Sequence, residues 1–293
     1  MLKNKYMNLS ILLFFSIIFI LTGCSEIKFI ESEQSIKIES KLIELADGTE
    51  KIEIDSSISD VLIKTEDRKD ISVKLETYKN GPELSVDLGD TIKIKSDRED
   101  TFKLNIGFSE NSKMTIIIPE MYNRNLEIKV STGDLIGESF ELNKFNCISS
   151  TGDVYIDQLI ANSVKLDSST GDLDIKKLVS EKIEIQTSTG DVNLENVSGN
   201  IIGETSTGNV TISYKEYASD ISYDLSTSDI ELVLNNANPN FEIDAESSLG
   251  DVEFNIPLSE VLEKKANKVK GKVGKGLYIM KLDVSTGDII IKK

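Results

Sequence analysis

The sequence predicts an all-β protein in which residues 126–293 wind as a right-handed parallel β-helix of ~19-residue coils behind a less regular β-rich N-terminal part. Three observations carry this reading. The tetrapeptide Ser-Thr-Gly-Asp recurs with glycines at Gly133, Gly152, Gly171, Gly190 and Gly287, and as Ser-Thr-Gly-Asn at Gly208. Ser226-Thr227-Ser228-Asp229 and Ser248-Leu249-Gly250-Asp251 are worn copies of it. Apolar and polar residues alternate on both sides of every copy. A fixed period marks stacked repeats, and period-two alternation marks short strands with one buried face.

From its start, the chain carries Lys3 and Lys5 ahead of an apolar run from Ile11 to Leu21 that ends in Leu21-Thr22-Gly23-Cys24. A basic beginning, a short apolar stretch and small residues before a cysteine read as a secretory signal over residues 1–23. The run is too short for a spanning helix. Leu-Thr-Gly-Cys resembles the lipobox of bacterial lipoproteins. The resemblance implies cleavage before Cys24 and a diacylglyceryl group on its sulfur, hence an extracytoplasmic protein lipid-anchored to a bacterial membrane. Two acyl chains suffice for stable anchoring.

Without residues 1–23 the chain has 31 basic against 50 acidic side chains, a net charge of −19. There is no basic face to neutralise phosphates, so nucleic acid is excluded as a partner. Such a charge serves solubility first and a cationic partner second. Histidine is absent, which removes the usual general base near neutral pH. Besides Cys24 the only cysteine is Cys147, so no disulfide is expected.

Residues 24–48 read as a tether or a first edge strand, and residues 49–125 as irregular β-structure. Within the latter, Ser56-Ser57-Ile58-Ser59-Asp60 is a degenerate copy of the later turn with strands on both sides. Leu84-Ser85-Val86 and Ile92-Lys93-Ile94 flank Asp87-Leu88-Gly89-Asp90 as a tight hairpin would. Phe102–Phe108 and Met114–Ile118 are strand-like, and Pro119 closes the second.

Over residues 126–293, each turn glycine or its substitute Ser228 serves as the origin. Seven residues before it stand Leu126, Phe145, Val164, Ile183, Ile201, Ile221, Ile243 and Met280. The columns five before, two after and four after are also apolar, apart from Gly203 and Gly137. Each coil is expected to return to its start and carry the next coil about 4.8 Å above it, which builds a continuous core that no single repeat could form. Ser149, Ser168, Thr187 and Thr205 would line one inner corner as a hydroxyl ladder, and Cys147 is a small buried hydrophobe.

The turn acids Asp134, Asp153, Asp172, Asp191, Asp229, Asp251 and Asp288 should stack along one edge. Beside them lie Asp167, Glu204, Asp224, Glu246 and Asp283, four residues before their origins. No cofactor is expected. Calcium is the one ion these columns could serve, because it takes six to eight oxygens, but no known calcium-loop spacing is present. Solvated caps are the preferred reading of the acids. Tyr155, Tyr214 and Tyr217 could stack on sugars if exposed, or cover the end of the barrel, whereas Tyr223 falls in the inward apolar column. Between Pro257 and Gly276 the rhythm breaks. This basic stretch has some helical spacing over Leu258–Lys268 and reads as a solvated excursion, with contact between its lysines and the acidic stripe as the second reading. The final Ile289-Ile290-Ile291-Lys292-Lys293 reads as a charged guard on an open edge.

With its Ser-Thr-Gly-Asp units from Ser131 to Val210 and its closing Val284-Ser-Thr-Gly-Asp-Ile-Ile-Ile, the chain resembles the toast-rack, or putative-adhesin, family of bacterial envelope proteins. The resemblance implies a β-helix-like fold, a surface location and no established catalysis, and it carries over no active-site residues. The expected function is a non-catalytic envelope lipoprotein that presents a β-helix for adhesion, protein interaction or envelope-stress sensing. A polysaccharide-acting β-helix enzyme and a structural spacer stacked through open coil ends are the alternatives. The membrane, through the lipid on Cys24, and an envelope protein or glycan are the expected partners.

Overall fold

The computed structural model describes residues 36–98, 112–236 and 238–293, and the regular structure among them is strand throughout. The signal segment, Cys24 and Phe102–Phe108 lie outside the described residues. The chain opens with β1 (Lys37–Glu44), β2 (Lys51–Ser56), β3 (Ser59–Glu66) and β4 (Asp70–Thr77). The expected hairpin follows as β5 (Glu83–Asp87) and β6 (Thr91–Asp97), then β7 (Ser112–Pro119) and β8 (Asn125–Val130). The regular coils are built from β9 (Leu135–Ser149), β10 (Val154–Thr170), β11 (Leu173–Ile175), β12 (Leu178–Thr189) and β13 (Val192–Thr207). They continue through β14 (Val210–Tyr214), β15 (Ile221–Thr227), β16 (Ile230–Leu234), β17 (Phe241–Leu249) and β18 (Val252–Phe254). A hairpin of β19 (Glu260–Lys265) and β20 (Lys268–Val273) precedes β21 (Tyr278–Thr286) and β22 (Ile289–Lys292).

The coils stack as a parallel β-solenoid in register. Leu126 pairs with Phe145, Phe145 with Val164, Val164 with Ile183, Ile183 with Ile201 and Ile201 with Ile221. Every member of this column is at most 2% exposed, as a core shared by neighbouring coils requires. The two breaks in the apolar columns are filled from next door. A Cβ on Gly203 would lie 2.1 Å from the Tyr223 ring, and one on Gly137 would lie 2.5 Å from the Phe140 ring. Each glycine therefore leaves room for an aromatic ring.

Spatial order differs from chain order at both ends. β2 pairs in parallel with both β6 and β8, and β3 with both β7 and β9. The coil β2–β3 is thus an inner one, with the later coil β6–β7 outside it. At the other end β21 lies between β15 and β17, and β22 between β16 and β18. The C-terminal coil is therefore intercalated, and Ile289–Lys292 is paired on both sides instead of guarding an open edge. The worn copy at Leu249 lies in the outer coil. There only one neighbouring coil must be matched, and Leu249 is 70% exposed.

Antiparallel strands close both ends. β4 lies on β7 and β1 on β4, while β5 lies on β6. β20 lies on β17 and β19 on β20. The helical spacing over Leu258–Lys268 therefore gives way to a β-hairpin, whose strands place Val269, Gly271 and Val273 opposite Ala245, Ile243 and Phe241. Parallel solenoid ends expose unpaired backbone groups, and antiparallel covers satisfy them.

Candidate functional site: the stacked turn edge

Each turn begins where the chain leaves a sheet after two exposed hydroxyl residues, such as Ser150 and Thr151, and must reverse within two residues. Gly152 does this at φ +124°, and a Cβ there would lie 2.1 Å from the Gly133 carbonyl oxygen of the coil below. Only glycine permits both the backbone conformation and this backbone-to-backbone approach. The Gly152 amide in turn donates to the Thr170 carbonyl of the coil above at 3.1 Å.

The acid that follows has a defined partner. The Asp153 amide donates to Asp134 Oδ1 at 2.9 Å, the Asp172 amide to Asp153 Oδ1 at 2.9 Å and the Asp191 amide to Asp172 Oδ1 at 2.8 Å. The ladder continues through Asn209 on Asp191, Asp288 on Asp229 and Asp251 on Asp288. It begins at Asp60, whose carboxylate accepts the Asp134 amide at 3.1 Å. Asp60 was absent from the sequence-derived acids because its copy lacks the glycine, although the preceding Ser59 signalled the corner. Each of these accepting carboxylates, which leave out only the outermost turn acid Asp251, thus acts as a cap for the next coil, in the way an N-cap residue satisfies a helix amide, and contributes on the order of 1 kcal/mol.

The inner hydroxyls do not bond one another along the column. Ser149 and Ser168 donate to the carbonyls of Gly152 and Gly171, at 3.2 and 3.3 Å, within their own turns. Thr205 instead pairs with the Tyr223 hydroxyl at 3.1 Å, and Thr187 Oγ1 is buried without a hydrogen-bond partner. Two of the four expected rungs are therefore local turn clasps, whereas Thr205 and, in the outer coil, Ser247 bond to the neighbouring coil, Ser247 to the Gly287 carbonyl at 2.7 Å.

The second acidic column is continuous over four coils. Glu204 aligns with Asp224, Asp224 with Asp283 and Asp283 with Glu246, while Asp167 is set apart from them by Gln186. Like charges one coil apart repel by about 1 kcal/mol per pair in water. A cation of the chain itself closes this column at its outer end, where Lys268 Nζ lies 2.6 Å from Glu246. Lys270 pairs with Asp244 and Lys272 with Glu242 on the same strands, at 2.5 and 3.4 Å. The basic stretch is thus engaged with the solenoid and is not a solvated excursion. Among the described residues, no group of three or more His, Cys, Asp or Glu side chains is arranged to hold a metal ion.

Other candidates are resolved by burial. Cys147 is 1% exposed, and burial, helped by the charge of Asp167, pushes its thiol up to about 12, so it carries no nucleophilic thiolate near neutral pH. Tyr214, Tyr217 and Tyr223 are buried, so they cannot offer faces to a sugar. Tyr217 packs edge-on against Tyr214 and Phe241, with centroids 4.9 and 5.3 Å away. Tyr155 is half-buried beneath Lys176, whose Nζ sits 4.7 Å from the ring centroid. A groove of about 850 Å³ is bordered by Lys177, Asn196, Lys215, Glu216, Asn235 and Asn236. Three of its asparagine amides are occupied by backbone carbonyls, Asn196 with Lys176, Asn235 with Tyr214 and Asn236 with Tyr217.

The fold and its turn edge define a capped β-solenoid repeat protein whose repeated motif is a stacking device. The chain belongs to the Toastrack DUF4097 family, whose model matches residues 49–292. Among solved structures it is similar to a putative adhesin from Bacteroides fragilis, with 13% identity, a TM-score of 0.51, and 88% of this chain and 97% of that one covered. A putative adhesin from Parabacteroides distasonis is similar at 12% identity and a TM-score of 0.50, covering 89% of this chain and 98% of that one. At these identities the likeness is one of fold. No curated protein matches the chain.

Proposed function

We propose that this chain is a non-catalytic lipoprotein of the bacterial cell envelope, held to the membrane through Cys24, that presents its solenoid for adhesion or protein interaction. The supporting observation is the distribution of its polar groups. Acids and turn aspartates are spread in columns along the solenoid, and the turn acids Asp134, Asp153, Asp172, Asp191, Asp229 and Asp288 each place one oxygen on the amide of the next coil. A polysaccharide-acting enzyme needs carboxylates gathered around one groove. Columns spread over many coils suit a rigid display surface better. The names of the solved relatives favour the same reading, and the net acidity favours a partner with basic groups.

Soluble protein spanning residues 25–293, incubated with envelope extracts, should retain a defined protein or glycan and release no sugar products from a glycan panel. Release of products would replace this reading with the enzymatic one. The acidic columns are proposed as solvated caps, so millimolar calcium should leave the melting temperature unchanged. A rise with calcium would assign the columns to ion binding.

A further inference from the structure

Among the described residues the first strand, like β5 and β19, is paired on one side only, and β19 too carries exposed aliphatics, Val261 at 59% and Leu262 at 60%. The partner of β1 is β4. Its inner face is anchored, because Ile43 is 4% exposed and Glu39 Oε2 accepts the Leu84 amide of β5 at 3.1 Å. The outer face carries Ile38 at 57% and Leu42 at 72% exposure, with Ser40 between them. An edge that combines unpaired backbone groups with exposed branched aliphatics is a template for another strand.

The order of residues along β1 selects that strand. Two antiparallel copies related by a twofold axis perpendicular to the sheet keep equivalent faces together only if the axis passes through a residue pair. With the axis at Ser40, Ile38 faces Leu42 of the second copy twice on the outer face. Glu39 faces Lys41 of the second copy twice on the inner face, so apolar meets apolar and acid meets base. An axis at Glu39 would oppose Lys37 to Lys41, and one at Lys41 would set that lysine against itself. An axis at Ile38 would keep only residues 36–40 in the ladder. With the axis at Ser40, residues 38–42 are self-complementary, while farther out Lys37 faces Ile43 of the second copy.

We propose that β1 is a homodimerisation edge, on which a second copy of this chain adds its own β1 antiparallel about Ser40 and continues the sheet across both molecules. The proposal is independent of the adhesion reading, because it concerns what the edge binds and not what the columns display.

A cysteine at Ser40 tests it directly, since axial residues in such a pair come within disulfide range. The full chain carrying Ser40→Cys, expressed in bacterial envelopes and oxidised mildly, should run mostly as a disulfide-linked dimer on a non-reducing gel. Lys165→Cys, exposed elsewhere on the column, should give at least tenfold less. Adding Leu42→Lys or Lys41→Glu to Ser40→Cys should cut the dimer band at least fivefold, with the melting temperature of each variant confirming a folded chain. The proposal is overturned if Ser40→Cys stays monomeric in a folded chain, if it links to a different protein, or if both interface variants leave the band unchanged.

Discussion

At the scale of single residues, glycine and aspartate in the turn do different work, and substitutions separate them. Gly152→Ala brings a Cβ to within 2.1 Å of the Gly133 carbonyl oxygen in a backbone conformation disfavoured for L-residues, and no side chain can move to relieve it. A loss of at least about 3 kcal/mol is expected from strain and steric conflict together. An unfolding free energy for Gly152→Ala, from urea titration, within ~0.5 kcal/mol of the parent would refute the close-approach account. Aspartate can be replaced more gently. Asp172→Ala removes the acceptor of the Asp191 amide and should cost about 1 kcal/mol, whereas Asp172→Asn keeps a carbonyl in place. Asn209 occupies the same turn position in its own coil, where its backbone amide donates to Asp191 Oδ1. Asp172→Asn should therefore be near neutral in high salt and slightly stabilising in low salt, where it relieves like-charge repulsion. Equal losses for both variants would show that the carboxylate charge, and not its acceptor oxygen, is what the ladder needs.

At the scale of elements, the outer faces of β2 and β8 carry an interlocked set of four charges. Lys51 lies 3.0 Å from Glu53 and 3.1 Å from Glu127, and Lys129 lies 2.8 Å from Glu127. The Lys51 ammonium holds the Glu53 carboxyl below its usual range, and Lys129 with Lys51 does the same for Glu127. Carboxyls depressed in the folded state add stability that is present above their unfolded value near ~4.3 and is lost as pH falls through the lower folded values. The parent should therefore lose melting temperature between about pH 5 and pH 3, and Glu53→Gln with Glu127→Gln should flatten that limb. Parallel curves for parent and double variant would mean that the four charges contribute nothing net. Individual strands were legible in the sequence because alternation survives even in the irregular β2 and β3. The hairpin β19–β20 was not, because Leu258–Lys268 scatters its apolar residues at spacings that fit either period. Pairing with β17 settles the matter, through three lysines set beside three acids.

At the scale of the whole molecule, the columns could be read before the structure, but the order of the coils could not. Parallel coils with the same apolar columns fit beside one another in any order, so the repeat specifies the register and leaves the neighbour open. The neighbour is decided by the 37-residue interval from Gly250 to Gly287, long enough for a covering hairpin and a return, and not by the quality of the turn, since the worn copy at Ser228 lies in an inner coil. Hence the well-formed copy at Gly287 occupies the interior and the worn copy at Gly250 the outside. This arrangement makes the C-terminus a structural wedge. Removing residues 277–293 takes β21 from between β15 and β17 and leaves β17 only its antiparallel partner β20. The outer coil and the hairpin should then lose amide protection as one unit, while β9 to β13 keep theirs. If roughly 4 kcal/mol is lost, the melting temperature should fall by about 8 to 16 °C. The truncated chain has one competing solution, in which β17 docks directly on β15 in chain order. Protection that persists over residues 241–249 after truncation would show that this simpler stacking is open to the sequence, and that the wedge is a preference of the intact chain and not a requirement for closing its end.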